Sequence, residues 1–505
     1  MNRPQPSTPA GLLPLLLLLL ITPLVACASN GRSQWEQAAL RDLQAVRQTV
    51  QRHHPGPVDE RNPHFEGWLA QGYDKAVEMA SQVNSEAGYR FLLQYYASGF
   101  NDGHLKVRFD AQSEDWQWPG FSVSFNGGRF LVNDIIQDES QETLPGTGAV
   151  LLSCDGRPIR EIMLEEIIPF YFGVQDLESS WARLAPRLLI WDGNPWRTRF
   201  MSCRFRFPGL ESETQVPLEW RDPPPELSLE QLLSRATFGA RTAYGIQALS
   251  SDMTWVSLPS FGPRTPEEFD ALNEIIERLP EYRDSKLLVF DVRGNGGGNS
   301  QWGSNLVRQF WGRDFASHVQ SQSAGNPVYA EWRVSRENID YLKGLLPALE
   351  KRFGSEAEVT EMVRQTSQGM DQALEQGRDL FHLGPDASSP SPAAPEPANP
   401  VKAQVVLLTD GRCASACLDF ADEVLLMPGV MHAGFPTSAD TLYMDVRSVR
   451  LPSDNGRLVI PLKVYRNRRR GNNQPYVPQL RFEGDLSDTQ ALQEWLRDKL
   501  EISRD

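Results

Sequence analysis

Two apolar runs, separated by more than a hundred residues, constrain the fold more than any other part of the sequence. Residues 287–290 read Leu-Leu-Val-Phe and residues 405–408 read Val-Val-Leu-Leu, so each is short and apolar enough to be a buried strand. The first leads into the glycine-rich stretch 294–298, and the second into Cys-Ala-Ser-Ala-Cys at 413–417. Helical patterns alternate with strand patterns here. The sequence therefore predicts an α/β core with a mostly parallel sheet.

Both turns are suited to carry reactive groups. Ser415 is flanked by alanines at a predicted strand-to-helix transition, which leaves its hydroxyl sterically open. The glycine triplet 296–298 exposes backbone N–H groups and allows close approach of a ligand. Ordinary strand-to-helix turns show the same local pattern, so the turns alone leave a purely structural role open.

The composition is that of a globular protein with no nucleic-acid partner. Of the 505 residues, 40% are hydrophobic and 23% charged, and the formal net charge is -15. Binding to phosphate groups needs clustered Lys and Arg, so this acidic balance argues against nucleic acid and anionic membrane surfaces as partners. The basic run 466–470 is interpreted as a solvated loop. The histidines at 53–54 lack partners at ligand spacing, so no metal or cofactor is implied.

The amino terminus has the features of a secretory signal. Arg3 supplies positive charge, and residues 12–21 are apolar over a length typical of signal peptides rather than membrane spans. Residues 24–27 read Leu-Val-Ala-Cys and resemble the lipobox of bacterial lipoproteins. We therefore expect a signal peptide over residues 1–26, a lipid anchor at Cys27, and a periplasm-facing lipoprotein at the outer membrane. A plain secreted protein is the alternative.

Four further cysteines are available for pairing in such an oxidising compartment. They are Cys154, Cys203, Cys413 and Cys417. The simplest local pairing joins Cys154 to Cys203 and Cys413 to Cys417, and it would place a disulfide across the serine turn. Two other connectivities and free buried thiols remain open from sequence.

Changes of pattern divide the chain into three parts after the signal. Residues 27–112 are predicted to be a helical domain that ends in a histidine-bearing turn. Residues 117–208 alternate and contain hairpin signals, as expected of a small β-rich domain that resembles the peptide-binding PDZ type. Residues 235–505 hold the core, with a helical and Pro-rich insertion at about 313–400.

Three short motifs occur in an order that resembles a peptidase family. They are Asp102-Gly103-His104, the turn at 291–298, and Ala414-Ser415-Ala416. With the PDZ-like part between the first two, they resemble the tail-specific (carboxy-terminal processing) and tricorn-type serine peptidases. The resemblance implies a crotonase-like ββα catalytic core beside an N-terminal helical domain and a PDZ-like domain. It also implies a hydrolase acting on polypeptides, without a cofactor. The oligomeric state does not follow from the sequence.

The resemblance assigns the nucleophile and the base. Ser415 matches the nucleophile, and His104 matches the histidine that takes its proton in tricorn-type members. The other branch of the family uses a lysine, but residues 431–445, the matching stretch, contain none. His104 is therefore favoured, with His432 as a rival base.

The resemblance also assigns an oxyanion hole. It consists of the backbone N–H of Ala416 and one N–H from Gly296 or Gly297. A side chain at the glycine positions would crowd the carbonyl group of a substrate, which gives these glycines a chemical reason beyond turn formation.

Two positions depart from the tricorn-type pattern. Gly103 stands where those members have a serine, and Gln474 stands in the region of their glutamate. An amide can orient an imidazole by hydrogen bonding but cannot stabilise an imidazolium as a carboxylate does. Gln474 and Asp102 are both candidate orienting residues.

Together these features predict a serine endopeptidase of the cell envelope that cleaves unfolded or extended protein segments through an acyl-enzyme. The alternative is a catalytically silent relative that binds peptides or envelope partners as a lipoprotein.

Overall fold

The computed structural model describes residues 33–110, 115–135, 144–237, 242–323, 328–383 and 397–501. The predicted signal peptide 1–26, the predicted anchor Cys27 and most of the Pro-rich run lie outside these residues. From Ser33 onward the chain clusters as one unit. None of the described helices is both long and apolar enough to cross a membrane.

The helices and strands of the described residues are numbered in chain order. The helices are α1 (Gln34–His53), α2 (Pro63–Met79), α3 (Glu86–Ser98), α4 (Ile159–Ile162), α5 (Glu178–Leu184), α6 (Leu229–Thr237), α7 (Pro266–Arg278), α8 (Ser300–Trp311), α9 (Arg313–Ser323), α10 (Arg336–Phe353), α11 (Glu358–Glu375), α12 (Ala416–Val424) and α13 (Thr489–Lys499). The strands are β1 (Lys106–Phe109), β2 (Phe121–Asn126), β3 (Arg129–Ile135), β4 (Val150–Cys154), β5 (Arg157–Pro158), β6 (Ser202–Arg206), β7 (Glu213–Pro217), β8 (Gly245–Ala248), β9 (Met253–Ser257), β10 (Leu287–Asp291), β11 (Tyr329–Arg333), β12 (Leu380–His382), β13 (Gln404–Thr409), β14 (Met431–Gly434), β15 (Tyr443–Arg450), β16 (Gly456–Arg466) and β17 (Leu480–Arg481).

A six-stranded sheet in the order β17-β14-β13-β10-β9-β8 forms the core, and we call it the parallel sheet. All its neighbours run parallel except β8 and β9, so the predicted parallel core is confirmed. Every residue of β10 is buried, as expected of a strand covered on both faces. Leu288 and Phe290 face a cluster containing residues of α8 and α12, whereas Leu287 and Val289 face α13.

The parallel sheet brings the two sequence turns together. β10 and β13 are adjacent, and Asp291 pairs with Leu408. The carboxyl ends of parallel neighbours lie at the same edge of a sheet. The glycine turn 294–298 and the serine turn 413–417 therefore meet at that edge.

A second sheet, the small sheet, is antiparallel in the order β2-β3-β4-β6-β7, with β5 on β4. Gly127 and Gly128 connect β2 to β3 with φ of 56° and 77°, a conformation that glycine adopts without strain. The hairpin predicted from Asn-Gly-Gly is confirmed. The structure is thus a mixed α/β fold with several sheets.

The third sheet, the joining sheet, contains β1, β16, β11 and β12 in that order, with β15 also on β16. Its strands come from the N-terminal part, the insertion and the C-terminal part. The insertion predicted at about 313–400 is not only helical and Pro-rich, because it also contains β11 and β12, which pair with each other. A strand of three residues is too short to show a periodic pattern in the sequence. The strand that pairs with it, β11, lies much earlier in the chain.

Candidate active site

Ser415 occupies a strained turn between β13 and α12. Its backbone has φ 55° and ψ -124°, and it is the residue immediately before the helix. A non-glycine residue held in such a conformation costs about 1–3 kcal/mol and occurs preferentially at functional sites. The same strand-turn-helix geometry presents the nucleophile of many hydrolases, because the sharp turn exposes the hydroxyl.

The described residues contain two disulfides, in the local pairing that the sequence suggested as simplest. Cys413 is joined to Cys417 across the serine turn, and both cysteines are fully buried. Cys154 is joined to Cys203, which connects β4 to β6 in the small sheet. The first bridge closes a loop whose middle residue is Ser415.

His104 reaches Ser415 from a different part of the chain. Its Nε2 lies 3.4 Å from the Ser415 Oγ, although the residues are 311 positions apart in sequence. This is the long end of hydrogen-bond distance, as is common for catalytic pairs without substrate. His104 lies in the turn between α3 and β1, and it is half-buried.

Asp102 fixes the backbone of the turn that carries His104. Its Oδ1 accepts the backbone N–H of His104 at 2.9 Å and the hydroxyl of Thr441 at 2.9 Å, and its Oδ2 lies 3.0 Å from the Nε2 of His54. Because the N–H of Gly56 donates to the Nδ1 of His54, the neutral ring carries its proton on Nε2 and donates it to Asp102.

The charges of this buried pair follow from their surroundings. Burial lowers the pKa of His54. Burial alone would raise the pKa of Asp102, but the hydrogen bonds from His54 and from the backbone of His104 act against burial, and the pKa of Asp102 is lowered. Asp102 is therefore an ionised support for the backbone of His104.

The second ring nitrogen of His104 lacks a partner. Its Nδ1 is buried and accepts or donates no hydrogen bond among the described residues. The Oε1 of Gln474 accepts the N–H of Gly471 at 2.9 Å, which keeps the amide within its own loop. No hydrogen bond joins the ring of His104 to Gln474 or Asp102, the two candidate orienting residues.

Asp440, which the sequence reasoning did not select, lies beside the pair. It is 5% exposed, and its Oδ2 accepts the backbone N–H of Ser415. Its Oδ1 is 3.8 Å from where a Cβ on Gly103 would lie, next to His104. The signal was available, because Asp440 falls within the stretch 431–445 where a lysine base was sought.

The two glycine candidates for the oxyanion hole differ in the structure. The N–H of Gly297 donates to the Oδ1 of Asn295 at 3.0 Å. The N–H groups of Gly296 and Ala416 have no hydrogen-bond partner among the described residues. A Cβ on Gly297 would come within 2.7 Å of the Ala414 carbonyl oxygen. Gly297 thus allows the turns to touch, and Gly296 retains the available donor.

Asp410 ties the glycine turn to the serine turn. This fully buried carboxylate accepts the N–H of Gly294 at 2.8 Å and that of Arg412 at 2.9 Å. Burial raises its pKa to about 6, although the two backbone hydrogen bonds act in the opposite direction. The sequence analysis did not identify this residue.

Ser415 and His104 are called the reactive pair below, and their chain neighbours Ala414 and Gly103 line a cleft of about 460 Å³. Its lining includes Gly103, Gly296, Ala414 and Asp440, together with residues 172–174. The cleft is partly open to solvent, and its volume is large enough to receive part of an extended polypeptide.

The rival base His432 is engaged elsewhere, and so is Lys463, a lysine that follows the stretch 431–445. The Nε2 of His432 lies 2.7 Å from the hydroxyl of Thr409, and burial lowers the pKa of His432 to about 4. Lys463 forms an ion pair with Asp445 at 2.7 Å. Within the described residues, no three His, Cys, Asp or Glu side chains are grouped as metal ligands would be.

Comparison with protein families gives a match for the central part of the chain. Residues 252–471 match the family model described as Peptidase family S41. This stretch is similar to peptidase family S41. It contains both turns at the edge of the parallel sheet and Asp440, whereas His104 lies outside it. The resemblance to tail-specific and tricorn-type serine peptidases is confirmed.

Solved structures extend the similarity of fold to the rest of the chain. Mature CPAF complexed with lactacystin is 16% identical, with 93% of this chain and 98% of that chain covered at a TM-score of 0.61. Mature CPAF without that ligand is also 16% identical, with 93% and 97% covered at 0.61. At this identity the similarity establishes the S41 peptidase fold alone. No curated protein matches the chain.

Proposed function

We propose that the protein is a serine endopeptidase that cleaves unfolded or extended protein segments through an acyl-enzyme. The observation that carries this proposal is the approach of the His104 Nε2 to within 3.4 Å of the Ser415 Oγ, with Ser415 at a positive φ beside a cleft. A structural serine in a tight turn has no need of an imidazole at its hydroxyl.

In this mechanism His104 removes the proton of the Ser415 hydroxyl as the oxygen attacks the scissile carbonyl. The N–H groups of Ala416 and Gly296 stabilise the oxyanion that forms, and each such donor contributes about 10² to 10³ in rate. His104 then gives its proton to the leaving amine. Water, activated by the same imidazole, hydrolyses the acyl-enzyme.

Asp440 supplies the negative charge that Gln474 cannot. The imidazolium formed during attack is stabilised by a nearby carboxylate. Asp440 lies against the backbone of Ser415 and next to Gly103, so its charge acts on His104 from within the cleft.

The architecture within this proposal is a crotonase-like core, built on the parallel sheet, with a helical N-terminal domain and a PDZ-like domain. Edge strand β7 of the small sheet is mostly exposed, as binding of a peptide by strand addition requires. The domain limits 27–112, 117–208 and 235–505 remain predictions.

We place the protein in the bacterial cell envelope, anchored through lipid at Cys27 and facing the periplasm at the outer membrane. The paired state of the four other cysteines supports this location, because structural disulfides persist in oxidising compartments.

The second candidate function is a catalytically silent relative that binds peptides or envelope partners. The unpartnered Nδ1 of His104 favours it, because an imidazole without a fixed tautomer is a weaker base. The amide of Gln474, in the region where tricorn-type members have a glutamate, also favours this second candidate function.

The test uses the purified mature protein with an unstructured polypeptide. We expect cleavage that falls by about 10³-fold or more in Ser415→Ala and is unchanged in Ser487→Ala, an exposed serine distant in sequence. A serine-directed phosphonate should label Ser415 in the wild type and not in His104→Ala. Cleavage that survives Ser415→Ala refutes the nucleophile, and binding without cleavage or labelling supports the silent relative.

A further inference from the structure

Two cationic side chains line the cleft without a carboxylate partner. Lys106 lies on β1, two residues after His104, and Arg183 lies on α5. Both are half-buried and both face the cavity that borders the reactive pair. Neither forms an ion pair with any residue that the structure describes. The guanidinium of Arg183 donates to the carbonyl oxygens of Tyr171 and Phe172, which are neutral acceptors.

The carboxylates of the same cleft are already engaged. Asp102 accepts hydrogen bonds from Thr441 and the backbone of His104, and it faces His54. Asp440 is directed to the backbone N–H of Ser415. These charges act on Lys106 through space, but neither carboxylate makes a hydrogen bond to it.

The two cations also act on each other. Burial lowers the pKa of Lys106, with Arg108 and Arg183 adding to the effect against Asp102 and Asp440. Burial and the neighbouring Arg187 lower the pKa of Arg183 to about 10. Cations that lose solvation without gaining an anion are stabilised when an anion enters, and the resulting charge-assisted hydrogen bonds are short and strong.

We propose that Lys106 and Arg183 form a subsite for a substrate carboxylate, so that the enzyme prefers an Asp or Glu side chain close to the bond it cleaves. The proximity to the bond follows from the position of Lys106 beside the His104 turn. This inference rests on the proposed function, because it gives a specificity to the same cleft. A chain-terminal carboxylate has the same chemistry, and the experiment separates the two sources.

The experiment measures binding to the Ser415→Ala protein, so that it does not depend on turnover. Fluorescent peptides are compared that differ by Glu or Gln at one position, each with a free or an amidated carboxyl terminus. We expect one Glu position to bind about tenfold more tightly than Gln, irrespective of the terminus. A second substitution, Lys106→Gln, should remove the preference, and Lys106→Arg should keep most of it.

The matched control is Arg108→Gln. Arg108 lies on the same strand but is exposed and does not line the cleft, so the Glu preference should remain. Arg183→Gln also removes the contacts to the loop at Tyr171, so Lys106→Gln is the primary variant. Thermal unfolding of each protein shows whether the fold is retained.

The outcomes distinguish this inference from the proposed function. Equal binding of Glu and Gln peptides, or an undiminished preference in Lys106→Gln, overturns the subsite. A preference that depends only on the free terminus overturns the assignment to a side chain. A Glu preference in binding by a wild-type protein that cleaves none of the peptides refutes the peptidase proposal and supports the subsite.

Discussion

Three acidic residues hold the backbone around the proposed reactive pair, and only Asp102 among them was a candidate from the sequence. Asp102 supports the backbone of His104, Asp410 joins the two turns, and Asp440 lies against the backbone of Ser415. Each is buried, and each accepts at least one backbone N–H. A buried carboxylate in such a position fixes loop geometry, because losing it leaves a buried donor unpaired.

Asp440→Asn should lower kcat by about 10- to 100-fold with a much smaller change in KM, because the variant retains an acceptor for the Ser415 N–H but loses the charge beside His104. Steady-state kinetics on an unstructured substrate measure this. The control is Asp445→Asn, which removes an exposed carboxylate of similar sequence position that pairs with Lys463. Equal effects in the two variants, or an effect on KM alone, would contradict the role given to Asp440.

The positions of the proposed reactive atoms depend on the turns that carry them and on the contacts that hold those turns. The strained backbone of Ser415 persists because surrounding groups hold it: a disulfide spans its turn, and Gly297 in the turn after β10 packs against Ala414. Positive φ at a residue other than glycine requires such support.

The two disulfides should differ in what they contribute. In the chain-entropy treatment, removing Cys154–Cys203 costs about 4 kcal/mol of stability and removing Cys413–Cys417 about 2 kcal/mol, because the closed loops differ in length. We expect the order for activity to be reversed, since only the second bridge spans Ser415. Paired Cys→Ala variants, measured by denaturant unfolding and by turnover below the transition, test this. Full activity without the bridge at 413–417 would show that the turn is held by its packing alone.

Asp410, which joins the glycine turn to the serine turn, should make the free energy of unfolding depend on pH. Its pKa is raised from 3.8 to about 6, so the folded state keeps a proton that the unfolded chain has released. The stability that Asp410 contributes is therefore complete below about pH 4 and is lost as pH rises through about 6, a change of about 2 to 3 kcal/mol. In Asp410→Asn this contribution should be absent.

The measurement is the difference between wild type and Asp410→Asn in free energy of unfolding, at about pH 4 and about pH 7. The difference is needed because the buried His53 and His432 have lowered pKa values of about 4 and act in the opposite direction over the same interval. Parallel pH profiles of the two proteins would contradict the assignment.

Across the whole molecule, distant segments assemble each sheet. The joining sheet combines β1 with strands from the insertion and the C-terminal part, and His104 lies two residues before the start of β1. The insertion is therefore part of the support of the base through β16, which pairs with both β1 and β11.

Asn338 fastens the insertion to this framework. It is fully buried, donates to the carbonyl oxygens of His53 and Arg333, and accepts from the Nε of Arg447. Asn338→Ala should lower the free energy of unfolding by about 2–4 kcal/mol, because it leaves buried groups on three elements unpaired. Urea unfolding measures this.

The control is Asn305→Ala, which removes a half-buried amide bonded to Gln301 and should cost much less. Turnover of Asn338→Ala below its unfolding transition should remain within about twofold of the wild type, because the residue does not line the cleft. A stability equal to that of Asn305→Ala would show that the insertion is held by its apolar contacts.

Local patterns were sufficient for much of the fold. The apolar runs, the hairpin glycines and the alternation of strands and helices predicted the parallel core and the antiparallel hairpin of β2 and β3, because burial on one or two faces leaves a periodic trace. They were insufficient for β12, whose three residues depend on β11 for hydrogen bonds.

Some features of the candidate site were likewise recognisable in the sequence, and others required the tertiary structure. Ser415, His104, Ala416 and the glycine turn are recognisable in the sequence, since a nucleophile, a base and bare N–H groups each need a particular residue type in a particular turn. The tertiary structure was needed to show that Gly296 rather than Gly297 has the available donor, that Gln474 bonds within its loop, and that Asp440 stands beside the pair. These facts concern hydrogen-bond partners brought together by the parallel sheet and the joining sheet. Such partners are set by which strands become neighbours, and that depends on the packing of the whole chain rather than on any local stretch of it.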